Sequence, residues 1–308
     1  MFRKNSILFL CLILIFTGCS INNEALFIKS YKNTLNLNSL YRKTSYRLSI
    51  ETNKNELSDD EKNISYLLDT ITGEISSRYN KAQGCILKNG IISTPSIDFN
   101  FEFQDDGLDK SLLLPFYSRY INLGSSLKSK KHVDPLNISS IKKATFINMG
   151  SEIIDTPEGA VKVKNLKISL DDTNSKTLIL YGLNEALKST EFTPLNDLFK
   201  KKHNVNLKNK LLNRVSSLSV ENFSAIISID KDYRIVNWEV DLTLYSNQKN
   251  SKIRSVRYQE SSMLWNFNND NSFTFTDINA LNSFSLEDME KNTPETLESF
   301  ILSYLFLL

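Results

Sequence analysis

The clearest periodic signal along the chain is the alternation of apolar and polar side chains in Ile97-Asp98-Phe99-Asn100-Phe101-Glu102-Phe103-Gln104. A period of two places the three phenylalanines on one face of a strand and the acids and amides on the other. Phe223, Ala225, Ile227 and Ile229 repeat the pattern up to Asp230-Lys231-Asp232. Val236, Trp238, Val240, Leu242 and Leu244 then resume it, separated by Asn237, Glu239, Asp241 and Thr243, so this stretch predicts a hairpin with an amphipathic outgoing strand. Shorter strands are expected over residues 45–51, where Tyr46, Leu48 and Ile50 share a face, and over 254–260 and 272–276. A β segment over 143–170 is turned by Asp155-Thr156-Pro157-Glu158-Gly159.

Helical spacing marks three other stretches. Phe27, Tyr31, Leu35 and Leu40 predict an opening helix from residue 24 to about residue 40. Thr193-Pro194 is an N-cap and first-turn pair ahead of Leu195, Leu198 and Phe199. Thr293-Pro294 opens a last helix whose stripe is Leu297, Phe300, Ile301, Tyr304, Leu305 and Leu308. Its apolar end is too short to cross a bilayer, which leaves two readings: a helix buried on several sides, or a surface for a partner or a membrane.

The first residues carry a different signal. Arg3 and Lys4 precede an apolar run from Ile7 to Phe16, and Thr17-Gly18-Cys19 follows it. Basic residues, a short apolar stretch and small residues are the parts of a secretory signal peptide. The arrangement resembles a bacterial lipobox, with Phe16 where that motif usually has Leu. The resemblance implies that residues 1–18 are removed and that Cys19 is thioether-linked to a diacylglycerol. Residues 19–23 would be a short tether, and residues 24–308 a single α+β domain held close to the membrane.

That processing changes the charge balance. The 37 Lys and Arg exceed the 35 Asp and Glu by two, and Arg3 and Lys4 leave with the signal. The remaining chain is formally neutral and has no basic stripe, so no nucleic-acid partner is expected. The densest run, Lys200-Lys201-Lys202-His203, falls at the end of a predicted helix, where cations suit the dipole; a solvated helix end and an anionic-lipid contact are both open. Cys85 is then the one free thiol, in Gly84-Cys85-Ile86-Leu87, which reads as a strand segment, and it reads as a buried small hydrophobe rather than a nucleophile.

Catalytic signatures are absent. His132 and His203 are the only histidines and have no metal-ligand spacing. The chain contains no G-x-S-x-G, no Gly-rich phosphate loop and no C-x-x-C, and Asp59-Asp60-Glu61 and Asp171-Asp172-Thr173-Asn174 lack the Gly and Glu of an EF-hand loop. Neither an enzyme nor a metal or other cofactor is expected.

In element order, with a helix over 26–40, a strand over 45–51 and the late turn Ile229-Asp230-Lys231-Asp232-Tyr233, the chain resembles the lipid-carrier-like lipoproteins of the LolA and LppX group. That resemblance implies an α+β fold: a curved antiparallel, half-barrel-like sheet with helices packed on one face. It implies an extracytoplasmic protein, lipid-anchored to the bacterial cell membrane through Cys19, and to the outer membrane if the host has one. The group supplies no catalytic residues. An apolar ligand or lipid would lie between sheet and helices, and the residues expected to line its site are Phe99, Phe101 and Phe103 with Val236, Trp238 and Val240. Two alternatives stay open: an envelope interaction or assembly lipoprotein that meets a protein partner through a sheet edge or its apolar tail, and, as the least favoured, a hydrolase, for which nothing in the sequence selects a pair of carboxylates.

Overall fold

A computed structural model describes residues 22–114, 116–125, 141, 143–248, 251–269, 273–296, 298 and 301. Cys19, His132 and most of the last helix lie outside the described residues; residues 295, 296, 298 and 301 are helical. The chain opens with α1 (Asn23–Leu35), β1 (Ser39–Thr52), α2 (Asp59–Leu68), β2 (Thr70–Asn80) and β3 (Cys85–Ser93). β4 (Asp98–Asp105), β5 (Asp109–Leu113), β6 (Tyr120–Ser125), β7 (Thr145–Thr156) and β8 (Gly159–Ser169) follow. Three helices, α3 (Asp172–Ala186), α4 (Thr193–His203) and α5 (Leu207–Ser217), precede β9 (Ser219–Ile229), β10 (Ile235–Tyr245) and β11 (Ile253–Trp265). The short β12 (Ser283–Ser285) and α6 (Met289–Asn292) come last.

Among the described residues, twelve strands form one curved, unclosed sheet in the order β12-β6-β5-β4-β3-β2-β1-β11-β10-β9-β8-β7. Every pairing is antiparallel except β12 with β6, which is parallel. The register carries one face across the sheet: Trp238 stands opposite Ile227 and Ser262, Leu48 opposite Tyr258, and Phe103 opposite Lys88 and Leu112. Helices cover this face. α1 packs Leu26, Phe27 and Tyr31 on Leu166, Ile168 and Ile227, while Leu198, Phe199 and Leu207 of α4 and α5 pack with Phe103, Leu112 and Ile121. The other face is mostly solvated and bears the ion pairs Lys43–Glu74 and Arg257–Asp241, except at β3–β5, where Leu87, Gln104 and Ser111 are buried. The expected half-barrel-like α+β architecture is therefore the observed one, with one dry face and one solvated.

Several boundaries differ from the sequence reading. The opening helix stops at Leu35, and Leu40 belongs to β1, which is longer than the expected 45–51. Thr193 lies inside α4 with Phe192 at the N-cap, and its hydroxyl donates to the Ser189 carbonyl. The strand expected over 272–276 is not formed at 273–276. At Gln104 both edges of β4 are taken by β3 and β5, so Thr276 is held by side chains instead: its backbone bonds to the Gln104 amide at 2.9 and 3.0 Å, and its hydroxyl donates to the Glu102 carboxylate at 3.1 Å.

The β9–β10 turn shows how local chemistry sets register. Tyr233 takes a left-handed conformation (φ 58°), and the buried Asp230 carboxylate accepts from the backbone N–H of Asp232 (2.9 Å) and Arg234 (2.8 Å) and from the Arg234 guanidinium. Asp230→Ala leaves two backbone donors without that acceptor and is expected to cost about 2 kcal/mol. Equilibrium urea unfolding checks this, and an unchanged midpoint would show that the turn forms without its carboxylate.

Candidate binding site

The six residues expected to line a ligand site lie on or beside the helix-covered face but not together. Phe99, Phe101 and Phe103 belong to β4; Val236, Trp238 and Val240 belong to β10, five strand positions away, which is about 24 Å along a sheet. Phe103 is packed under α4 and α5, Phe101 is half-buried against the same cluster, and the Phe99 ring lies 4.5 Å from that of Phe116. Trp238 packs at the margin of the α1 cluster. Val236 sits at a register shift in β10 and turns to a different cavity, and Val240 borders a wide hollow that also touches Ser224, Glu239 and Asp241.

Between the two apolar zones, where β1 meets β11, the covered face is polar. Glu260 Oε1 accepts from Arg42 (2.9 Å), the Trp238 indole N–H (2.8 Å) and the Ser262 hydroxyl (2.9 Å), and Oε2 accepts from the Tyr258 hydroxyl (2.5 Å). Thr44 closes the group through Ser262 at 2.8 Å, and the Arg42 guanidinium lies 4.4 Å from the Trp238 ring. The Tyr46 ring lies across β2 at Gly73, where an added Cβ would come within 2.4 Å of it.

Burial pushes the Glu260 carboxyl up, but the Tyr258 hydrogen bond, the Arg42 charge and the bonds from Trp238 and Ser262 outweigh it and hold the group below the usual carboxylate range. Burial lowers Arg42, and burial beside Glu260 raises Tyr258. A carboxylate held ionised by four donors is neither a general acid nor a free base at neutral pH. Its chemistry is that of a seam joining two halves of the sheet.

A cavity of about 540 Å³ opens where the β7–β8 hairpin, the β9–β10 turn and the end of β11 converge. Val163, Ile229, Val236 and Leu264 are buried in its wall, and Trp265 and Phe267 form an aromatic side. Lys162, Lys164 and Lys231 stand around it with no carboxylate of the described residues within ion-pair distance, whereas Arg234 is engaged by Asp230 and Asp232. The Glu158 carboxylate accepts from the Asn266 N–H at 2.9 Å and so ties the hairpin tip to the end of β11. Apolar walls with unneutralised ammonium groups at the mouth suit an amphiphile with an acidic head. Sequence reasoning found only Val236 of this set. The available signal was Lys162-Val163-Lys164 facing Trp265-Asn266-Phe267, aromatic and basic residues at strand ends.

The basic run and the lone thiol have structural roles. Lys201 pairs with Glu290, and Lys202 and His203 both pair with buried Glu298, so the end of α4 is docked on the C-terminal segment. Cys85 is buried at the start of β3, and burial raises its thiol pKa. No group of His, Cys, Asp and Glu among the described residues could hold a metal ion, and no described helix is long and apolar enough to cross a membrane.

No family model and no curated protein matches the chain. Among solved structures, a β-barrel-like protein of the domain of unknown function DUF1849 from Brucella abortus is similar over 75% of this chain and 100% of its own, at 12% identity and a TM-score of 0.20. An N-terminal dehydratase from the difficidin assembly line is similar over 78% of this chain and 82% of its own, at 10% identity and a TM-score of 0.13. Likeness at this level carries no argument about what the chain does.

Proposed function

We propose that this chain is a lipid-anchored extracytoplasmic binding protein, not an enzyme, and that it holds an acyl amphiphile with an acidic head. The anchor reading is supported by Arg3, Lys4, the apolar run and Gly18-Cys19. The single observation that carries the binding reading is the cavity among β7, β8, β10 and β11, with Val163, Val236, Leu264, Trp265 and Phe267 for an acyl chain and Lys162, Lys164 and Lys231 for the head. At about 540 Å³ it falls within the range of small-molecule sites.

Native mass spectrometry of the full chain released from bacterial membranes tests this reading. The parent should carry one acidic lipid. Val161→Trp, which fills the cavity from its half-exposed wall, should lose at least nine-tenths of that adduct, and Lys164→Glu should weaken it by about tenfold, or roughly 1.4 kcal/mol. A parent that is consistently free of lipid, or adducts equal in all three proteins, would refute the site.

A further inference from the structure

We propose that the free edge of the sheet, β7, is a membrane-docking surface that lays the mouth of the cavity against the phospholipid bilayer. The inference rests on the lipid-anchor reading. Asn23 is four residue steps beyond Cys19, with three residues between them, and an extended chain of that length reaches about 14 Å at most. Asn23 is fixed: its side-chain amide donates to the Phe146 carbonyl at 3.3 Å, and the Phe27 and Phe146 rings lie 5.5 Å apart. An acyl anchor on Cys19 therefore brings the bilayer surface to the start of β7.

The surface presented there is apolar. β7 is the last strand of the sheet, with no neighbour on its outer side among the described residues, and it exposes Ile147 (47%), Met149 (55%) and Ile153 (70%). From Ile147 to Ile153 the strand runs about 20 Å. Ile147 stands opposite Lys167 and Ile153 opposite Lys162, so the two point to opposite faces of the strand and docking is edge-on. Entering at headgroup depth by its free edge, β7 brings the apolar side chains of both faces into the interface while its unpaired backbone N–H and C=O groups stay among water and phosphates, as an open edge requires. Ile153 stands opposite Lys162, and Ser151 stands opposite Lys164. Ser151, Lys162 and Lys164 border the cavity, so the docked edge and the cavity mouth coincide. Glu152, Asp155 and Glu158 balance Lys162, Lys164 and Lys167 in this hairpin, so apolar contact rather than net charge carries the docking, and zwitterionic lipid suffices.

The test uses the full acylated chain in phosphatidylcholine vesicles. Met149→Cys and Ile153→Cys are labelled with bimane, and Leu108→Cys, in the β4–β5 turn toward the opposite side of the sheet, is the control. Buried Cys85, whose thiol is held protonated by burial, contributes only the small background measured in the parent. Lipids carrying a doxyl quencher near the headgroup should reduce emission at positions 149 and 153 at least twofold and leave position 108 unchanged. Equal or absent quenching at the three positions overturns the proposal, as does a bimane blue shift at 149 and 153 without quenching, which would mark burial against a second copy. Fatty-acid incorporation measured on the same samples separates the two readings. An acylated chain with unquenched β7 refutes docking alone, and a chain without acyl label refutes the anchor.

Discussion

Glu260→Ala is expected to lower the unfolding free energy by about 3 kcal/mol. The substitution removes the one carboxylate beside Arg42 and leaves the Trp238, Tyr258 and Ser262 donors without their shared acceptor. Loss of one partner from a buried ion pair costs about 3 to 5 kcal/mol because a charge is stranded, and the lower end applies because Arg42 keeps 35% of its side-chain surface exposed. Chemical denaturation provides the measurement, and a loss below about 1 kcal/mol would show that water replaces the carboxylate. The same group sets an acid limb. Its folded-state pKa is lowered, so its contribution is whole above about pH 4.3 and is lost as pH falls through the lowered value. Glu260→Gln should flatten that limb of the stability profile, and an unaltered limb would assign the titration to another group.

Cys19→Ser should abolish fatty-acid incorporation and move the chain out of the membrane fraction. Only a thiol at that position can receive the diacylglycerol. Two acyl chains of about 14 buried methylenes each, at about 0.8 kcal/mol per methylene, hold a protein by on the order of 20 kcal/mol. Three half-exposed aliphatic side chains on β7 cannot replace that affinity. Metabolic labelling with a fatty acid, followed by fractionation, reads both effects, and equal label in variant and parent would eliminate the lipoprotein reading.

What the sequence made legible follows from how each strand is buried. β4 and β10 alternate strictly because one side is packed and the other is wet, and both were found. β2 was missed and β3 was read only at its start, Cys85-Ile86-Leu87, because Gly73, Ser77, Lys88 and Gly90 interrupt the apolar row of their covered face. Gly73 makes room for the Tyr46 ring, and Lys88 pairs with Glu191, which leads into α4, so partners remote in sequence satisfy these positions. Phe273 and Phe275 gave a strand signal without a strand: their rings stack on each other at 5.4 Å. The seam had a trace in Val256-Arg257-Tyr258-Gln259-Glu260-Ser261-Ser262, where an acid and a serine occupy the phase of the apolar face. The cavity had almost none, because strands separated in sequence build it and a register shift in β10 turns Val236 toward it.

The pairing of β1 with β11 imposes an order on folding. Arg42 and Ser262, bonded across that seam, are 220 positions apart, and β1 has only β2 to pair with until β11 is available. On the proposed export route, a chain that crosses from its N-terminus would deliver β1 early and carry it, with one side unpaired, until almost all the rest has crossed. Long-range pairing of this kind is slow because the loop must close before any contact compensates for it. During that interval β1 offers an edge to any other strand nearby. Refolding of the full chain should therefore be limited by a step that joins the two halves of the sheet, and Arg42 and Glu260, which meet across the join, report its completion.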